Sequence, residues 1–183
     1  VDADHSVRRV LPDLTIANGL GWSPAGDVMY FIDSGDYAVD AYPFDGAVGE
    51  LGEPSRLVTF AQDEGMPDGL TVDAEGGIPR NLTNNSSADS EPSFSRDGRR
   101  IYFFSTRGGN AQIWRMAADG GEAVQVTENG GFYAEESWDG KDLYYADREY
   151  GGSIWRVPVD GGEKEEIVSG LHLYRGWALG HSG

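Results

Sequence analysis

The feature that most constrains this chain is an internal repeat of 41 or 42 residues. Three short motifs take part in it, each built around a turn or an aromatic residue. The repeated pairs are Ser95-Arg96-Asp97-Gly98 with Ser137-Trp138-Asp139-Gly140, Ile113-Trp114-Arg115 with Ile154-Trp155-Arg156, and Gly120-Gly121-Glu122 with Gly161-Gly162-Glu163. A period of about 40–50 residues, with strands between turns, is typical of the blades of a β-propeller.

The repeat is interrupted in the first half of the chain. Four comparable turn glycines, Gly26, Gly76, Gly98 and Gly140, are separated by 50, 22 and 42 residues. The middle interval has the length of half a blade. This predicts that blade material is missing near Gly76, or that two sources were joined there.

The runs between the turns are short and either apolar or alternating, as β-strands are, and none has a sustained helical period. Three blades of four strands are predicted at 16–23, 28–33, 38–44 and 56–60; at 92–95, 101–105, 112–116 and 123–127; and at 134–137, 143–147, 153–157 and 165–169. Single strands of further blades are predicted at 7–11, 70–73, 80–83 and 177–179. We therefore expect an all-β chain of four-stranded antiparallel blades, with about four blades' worth of strands.

The composition excludes several classes of function. The formal charge is −17, with 31 acidic against 14 basic residues, which disfavours nucleic acids and anionic membranes as partners. The chain has no cysteine, which excludes disulfides and thiolate sites and leaves the compartment open. No apolar run reaches the ~20 residues of a membrane span, and the acidic start of the chain is unlike a signal peptide.

The first 77 residues carry three motifs that together resemble one known family. The motifs are Ala17-Asn18-Gly19-Leu20-Gly21-Trp22-Ser23-Pro24, Met29-Tyr30-Phe31-Ile32-Asp33-Ser34, and Gly65-Met66-Pro67-Asp68-Gly69-Leu70-Thr71-Val72-Asp73-Ala74-Glu75-Gly76-Gly77. On these motifs, residues 1–77 resemble the gluconolactonase, regucalcin and luciferin-regenerating-enzyme family. The resemblance implies a six-bladed propeller that holds a divalent metal, commonly calcium, and opens lactones or related esters with metal-activated water.

The same resemblance implies two metal ligands, Asn18 in its Asn-Gly-Leu motif and Asp68 in its Pro-Asp-Gly motif. Carbonyl and carboxylate oxygens suit a hard cation such as Ca²⁺, and a metal lowers the pKa of bound water. The family's third ligand, a glutamate in an early Gly-Glu-Gly-Pro motif, has no counterpart here, and neither do its substrate-orienting Arg and Asn. No catalytic residue is therefore assigned. The alternative is that Asn18 and Asp68 are turn residues, since Asn tolerates the left-handed region and Asp-Gly is a common turn.

From residue 78 onward the chain resembles a different group, the TolB-type propeller repeat. The matching stretches are 79–83, 91–103, 105–109, 113–116 and 120–127, with a second copy that runs to residue 167. This resemblance is specific for architecture and weak for function, because such repeats mainly build protein-binding propellers.

The two resemblances together favour a chimera, engineered or recombinant, of a gluconolactonase-like fragment (1–77) and TolB-like repeats (78–183) in one propeller-type domain. We expect a scaffold or interaction module with no intact active site. The alternative is a divalent-metal-dependent lactonase or esterase. Strand counting further predicts self-association, with a second copy completing a ring of about seven or eight blades.

Other candidate sites are weaker. His5, His172 and His181 lack the spacing of a zinc site, and His172 is expected to be a packed or surface residue. Trp114 and Trp155 recur in register within alternating strands, which favours packing between blades over a recognition face.

Overall fold

The computed structural model describes residues 7–76, residues 79–174 and residue 179. The chain divides into two compact units, Val1–Pro79 and Arg80–Gly183. Each unit is built from antiparallel strands, and the only helical turns in the described residues are two short 3₁₀ segments, Ser34–Asp36 and Gln62–Glu64. In the described part, no helix is long and apolar enough to span a membrane.

Within residues 7–76, the strands of the first unit form one sheet. Its strands are β1 (Ala17–Trp22), β2 (Val28–Asp33), β3 (Ala38–Asp45), β4 (Glu50–Leu51) and β5 (Ser55–Thr59). They follow the chain order, except that both β4 and β5 pair with β3. The turn between β1 and β2 is fixed by Ser23, whose hydroxyl oxygen accepts hydrogen bonds from the backbone N–H groups of Asp27 and Val28. Gly26 supplies the positive φ of 71° that this turn requires.

In the described part of the second unit, the strands form two sheets of four, each in simple meander order. The first consists of β6 (Asp89–Phe94), β7 (Arg100–Ser105), β8 (Gln112–Ala117) and β9 (Val124–Gln125). The second consists of β10 (Phe132–Glu136), β11 (Asp142–Ala146), β12 (Tyr150–Pro158) and β13 (Glu165–Tyr174). We call the three sheets of the described residues blades 1, 2 and 3.

Alternation along the strands gives blades 2 and 3 their common core. Tyr102 and Ile113 project from blade 2 and pack in one cluster with Leu143, Tyr145 and other residues of blade 3. The opposite face of blade 2 packs in a second cluster around Ile101, Phe103 and Met116. Blades 2 and 3 are therefore stacked face to face, as propeller blades are. The predicted fold class, all-β with four-stranded antiparallel blades, is confirmed.

Three of the four predicted single strands are wrong, because residues 7–11, 70–73 and 80–83 are not in strands. Residues 7–11 are tethered instead by a side chain, since Arg8 Nη2 donates to the carbonyl of Gly49 at 2.8 Å. At 80–83 a turn competes with strand pairing, because Asn81 Oδ1 accepts from the backbone N–H of Asn84. The predicted strand 177–179 lies outside the described residues except for Leu179.

Candidate metal centre

Asn18 lies at an irregularity of the first strand of blade 1. The register between β1 and β2 shifts between Ala17 and Gly19, so that Asn18 occupies a β-bulge. Bulges redirect a side chain and are common beside functional sites. The first strands of blades 2 and 3 have a register shift at the same place, around Glu91 and Tyr133, which both have left-handed backbones, with φ of 55° and 52°.

A buried serine joins Asn18 to Pro67, the residue before the second predicted ligand, Asp68. Asn18 Nδ2 donates to Ser34 Oγ at 2.8 Å, and Ser34 Oγ donates to the carbonyl oxygen of Pro67 at 2.5 Å. Ser34 is 1% exposed, whereas Asp68, the residue after Pro67, is exposed. The structure therefore brings Asn18 and the Pro67–Asp68 peptide to the same side chain.

Two glycines let the segment around Leu70 pack closely on β1. A Cβ at Gly19 would lie 3.2 Å from the backbone nitrogen of Leu70, and one at Gly21 would lie 2.6 Å from Leu70 Cδ1 and 2.7 Å from Val72 Cγ2. Gly19 and Gly21 thus leave room beside β1 for the backbone of Leu70 and for the side chains of Leu70 and Val72, and residues 70–73 form no strand there.

Asp33 holds the backbone that precedes Ser34. Its carboxylate accepts hydrogen bonds from the backbone N–H groups of Thr15, Ile16 and Gly35 at 2.7–3.1 Å. Desolvation alone would raise the pKa of Asp33, but these three hydrogen bonds outweigh it and lower the pKa from its ordinary value. The motif Asp33-Ser34-Gly35-Asp36 is therefore a capped turn, and its first carboxylate is occupied by backbone donors.

The side-chain oxygen atoms of Asn18 and Asp68 provide some of the ligands that a cation requires. Ser34 uses the Nδ2 group of Asn18, which leaves Oδ1 as the atom of this amide that can coordinate a metal. Calcium takes about 6–8 oxygen ligands, so one amide and one carboxylate would fill only part of its coordination shell. Within the described residues, no three His, Asp or Glu side chains gather at a metal-binding distance.

A second notable surface lies between blades 2 and 3. Arg96 of blade 2 donates to Glu135 Oε1 and to the carbonyl of Glu136, both at 3.0 Å, and its guanidinium lies 4.2 Å from the centre of the Trp138 ring. Trp138 remains 54% exposed. Arginine and tryptophan held in this way are common in protein-recognition surfaces.

The remaining predicted residues have structural positions. Trp114 packs against the cluster around Phe103, and Trp155 packs against the cluster between blades 2 and 3. His172 lies in β13 and is exposed, whereas His5 and His181 are outside the described residues. Ser34 was not among the site residues predicted from the sequence, although it ends the second motif of the gluconolactonase resemblance.

Family comparisons agree with both resemblances found in the sequence. A model described as the TolB beta propeller domain matches residues 52–173, which is most of the chain. A model described as the SMP-30/Gluconolactonase/LRE-like region matches residues 1–88. The two matches overlap, so the transition between the resemblances is not a single point.

Individual relatives match this chain over only part of their own length. Regucalcin of Homo sapiens is 37% identical over 75 residues, which are 41% of this chain and 25% of regucalcin. A chain of a nidogen/laminin complex has a TM-score of 0.64 at 16% identity, over 85% of this chain and 65% of that chain. Streptogramin B lyase has a TM-score of 0.55 at 17% identity, over 82% of this chain and 53% of that chain. The two structures show the fold alone, and this chain spans about a quarter of the length of regucalcin.

Proposed function

Because this chain belongs to the TolB β-propeller domain family, we propose that it is a non-enzymatic propeller module that binds a second copy of itself. The single observation that carries the proposal is the position of Trp138. In the internal repeat, Trp138 of blade 3 is equivalent to Arg96 of blade 2. Arg96 is one of the residues through which blade 2 binds the next blade, by way of Glu135 and the carbonyl of Glu136.

The surface around Trp138 has the composition of a binding face. Trp138 is 54% exposed even though the Arg96 guanidinium lies 4.2 Å from the centre of its ring, so an apolar part of the ring is still open to a further partner. Burying that ring against another sheet would remove a large apolar area from water, and tryptophan is enriched among the residues that dominate interface energy. We propose a blade of a second copy as the partner surface, since blades 2 and 3 of this chain already pack face to face.

The proposal is tested by the mass of the protein in solution. Light scattering across a concentration series should show a dimer whose dissociation constant rises at least tenfold in Trp138→Ala. Trp22→Ala is the control, because Trp22 is also exposed (41%) but lies in the first unit against Phe44. A monomeric mass at every concentration, or equal effects of both substitutions, would contradict the proposal.

We propose in addition that residues 1–77 and 78–183 have separate origins in two propeller families, joined by recombination or by design into one propeller-type domain. The support is the succession of two family matches along the chain, at residues 1–88 and 52–173.

A second candidate function is a divalent-cation site with lactone hydrolysis, and one observation favours it. Ser34 contacts both Asn18 and Pro67, the residue before Asp68, which supports a site that contains Asn18 and Asp68. Asn18 Oδ1 and the Asp68 carboxylate would hold Ca²⁺, which would supply an activated water when bound. Other ligands would have to be water or residues beyond this pair.

Calorimetric titration with calcium, followed by a lactone assay, tests this candidate. Asp68→Asn should abolish calcium binding and turnover together. Asp139→Asn, which removes the same charge from a turn of blade 3, should leave both unchanged. A titration of the unaltered protein without heat of binding would rule out the cation site, and binding without turnover would rule out the hydrolase.

A further inference from the structure

We propose that Ser34 is a positioning residue that fixes the orientation of the Asn18 amide. The inference rests on the cation-site candidate described above and assigns that site a supporting residue. It follows from the order of donors and acceptors around a single buried hydroxyl group.

The direction of each hydrogen bond is dictated by chemistry. The carbonyl oxygen of Pro67 can only accept, so the one proton of the Ser34 hydroxyl is directed to it, at 2.5 Å. The hydroxyl can then only accept from Asn18. The amide group at 2.8 Å must therefore present its Nδ2–H to Ser34, and its Oδ1 is turned away from Ser34. The amide orientation thus depends on a carbonyl 49 residues further along the chain.

Ser34 is itself fixed on both sides. Its backbone N–H donates to the carbonyl of Ile16 at 3.0 Å, which ties it to the residue just before β1. It begins the 3₁₀ turn Ser34–Asp36, which is capped by the Asp33 carboxylate. With 1% of its surface exposed, Ser34 has little access to water that could replace its partners.

The orientation of the Asn18 amide matters because a cation is bound by the amide oxygen and repelled by the amide N–H. An asparagine that is free to rotate presents either group, whereas the Asn18 side chain held by Ser34 presents one. Partners of this kind, which orient a ligand without touching the metal, typically change metal affinity by about 10–100-fold.

The test combines Ser34→Ala with Asn18→Asp. Ser34→Ala alone should weaken calcium binding by about tenfold in calorimetry. In the Asn18→Asp background both terminal atoms are oxygen, so orientation no longer matters, and the added Ser34→Ala change should cost less than about twofold. A serine that only supports the local fold would cause the same loss in both backgrounds, and that result would overturn the positioning role.

Ser95→Ala is the matched control. Ser95 is a buried serine of blade 2 that bonds Asp97 Oδ1 and the carbonyl of Arg100. Its loss should lower stability without changing calcium affinity.

An NMR measurement examines the same geometry without any cation. In the unaltered protein, the side-chain N–H proton of Asn18 that is bonded to Ser34 should resonate downfield and exchange slowly, and Ser34→Ala should return its shift and exchange rate to those of a solvated amide. Unchanged Asn18 signals in Ser34→Ala would overturn the proposal even if calcium binds. Absence of calcium binding in the unaltered protein would instead overturn the cation site, and the supporting role with it.

Discussion

At the scale of the residue, the contact between Tyr102 and Glu136 joins blade 2 to blade 3. The hydroxyl of Tyr102, which is fully buried, donates to Glu136 Oε1 at 2.8 Å, and Glu136 Oε2 accepts from the backbone N–H of Arg96 at 2.6 Å. Tyr102→Phe would leave a buried carboxylate oxygen without this donor. We expect the free energy of unfolding to fall by about 1–3 kcal/mol, measured by urea titration.

The internal repeat supplies the control for that substitution. Tyr144 is the blade 3 equivalent of Tyr102 and is half-buried, so Tyr144→Phe should cost less than about 0.5 kcal/mol. Equal losses in the two variants would show that the buried hydrogen bond is not what stabilises the interface.

The same tyrosine predicts a loss of stability in alkali. Desolvation, the hydrogen bond to Glu136 and the charge of Glu136 raise the pKa of Tyr102 to about 12. Folding therefore favours the protonated form of Tyr102. Its contribution to the free energy of unfolding is complete below about pH 10, the pKa of an unfolded tyrosine, and is lost as the pH rises toward 12. Urea titrations from pH 8 upward should show a steeper decline for the unaltered protein than for Tyr102→Phe, and parallel curves would contradict this.

The two repeated tryptophans differ in one hydrogen bond. Trp155 Nε1 donates to Asp147 Oδ2 at 3.3 Å, whereas the buried Trp114 Nε1 has no acceptor in the described part of the chain, because Ser105 takes the place of Asp147 in blade 2. Replacement by phenylalanine removes a satisfied donor in one case and an unsatisfied donor in the other. Trp155→Phe should therefore cost about 1 kcal/mol more than Trp114→Phe in thermal or urea unfolding. The reverse order would contradict the assignment.

At the scale of the element, the packing of residues 70–72 on β1 depends on a missing side chain. Gly21→Ala would place a methyl group 2.6 Å from Leu70 Cδ1 and 2.7 Å from Val72 Cγ2, so the segment must shift. We expect a loss of about 1–3 kcal/mol in the free energy of unfolding. Gly46→Ala is the control, since its added methyl group would meet only Phe44, at an ordinary 3.6 Å.

Some strands of this chain could be predicted from the sequence, and others could not. Strands such as β7 and β12 were predictable because each carries its own apolar or alternating pattern and sits beside a turn. The strand predicted at 70–73 is absent, because an apolar sequence pattern does not by itself provide a neighbouring strand to hydrogen-bond with. Here Gly19 and Gly21 of β1 leave room for Leu70 and Val72 to pack closely instead. The role of Ser34 was not predictable, since its partners lie 16 and 33 residues away.

At the scale of the whole molecule, the charge of −17 opposes the compact state. Raising sodium chloride from about 20 mM to about 200 mM shortens the screening length and should raise the midpoint of thermal unfolding by about 2–4 °C, as followed by circular dichroism. Repeating the series near the isoelectric point of about 4.3 should reduce the effect, because the carboxylates are then partly protonated. A midpoint independent of salt at neutral pH would show that self-repulsion is negligible.

The bulge shared by the first strands of all three sheets has a consequence for how such chains diversify. It sits at Asn18, Glu91 and Tyr133, three chemically different side chains, while the strand pairing on either side is retained. The backbone at this position therefore tolerates a change of side-chain chemistry without a change of architecture. A mutation at the bulge can change what a sheet recognises while the neighbouring strands keep their structure. The bulge is therefore a suitable position to vary in laboratory evolution of new specificities.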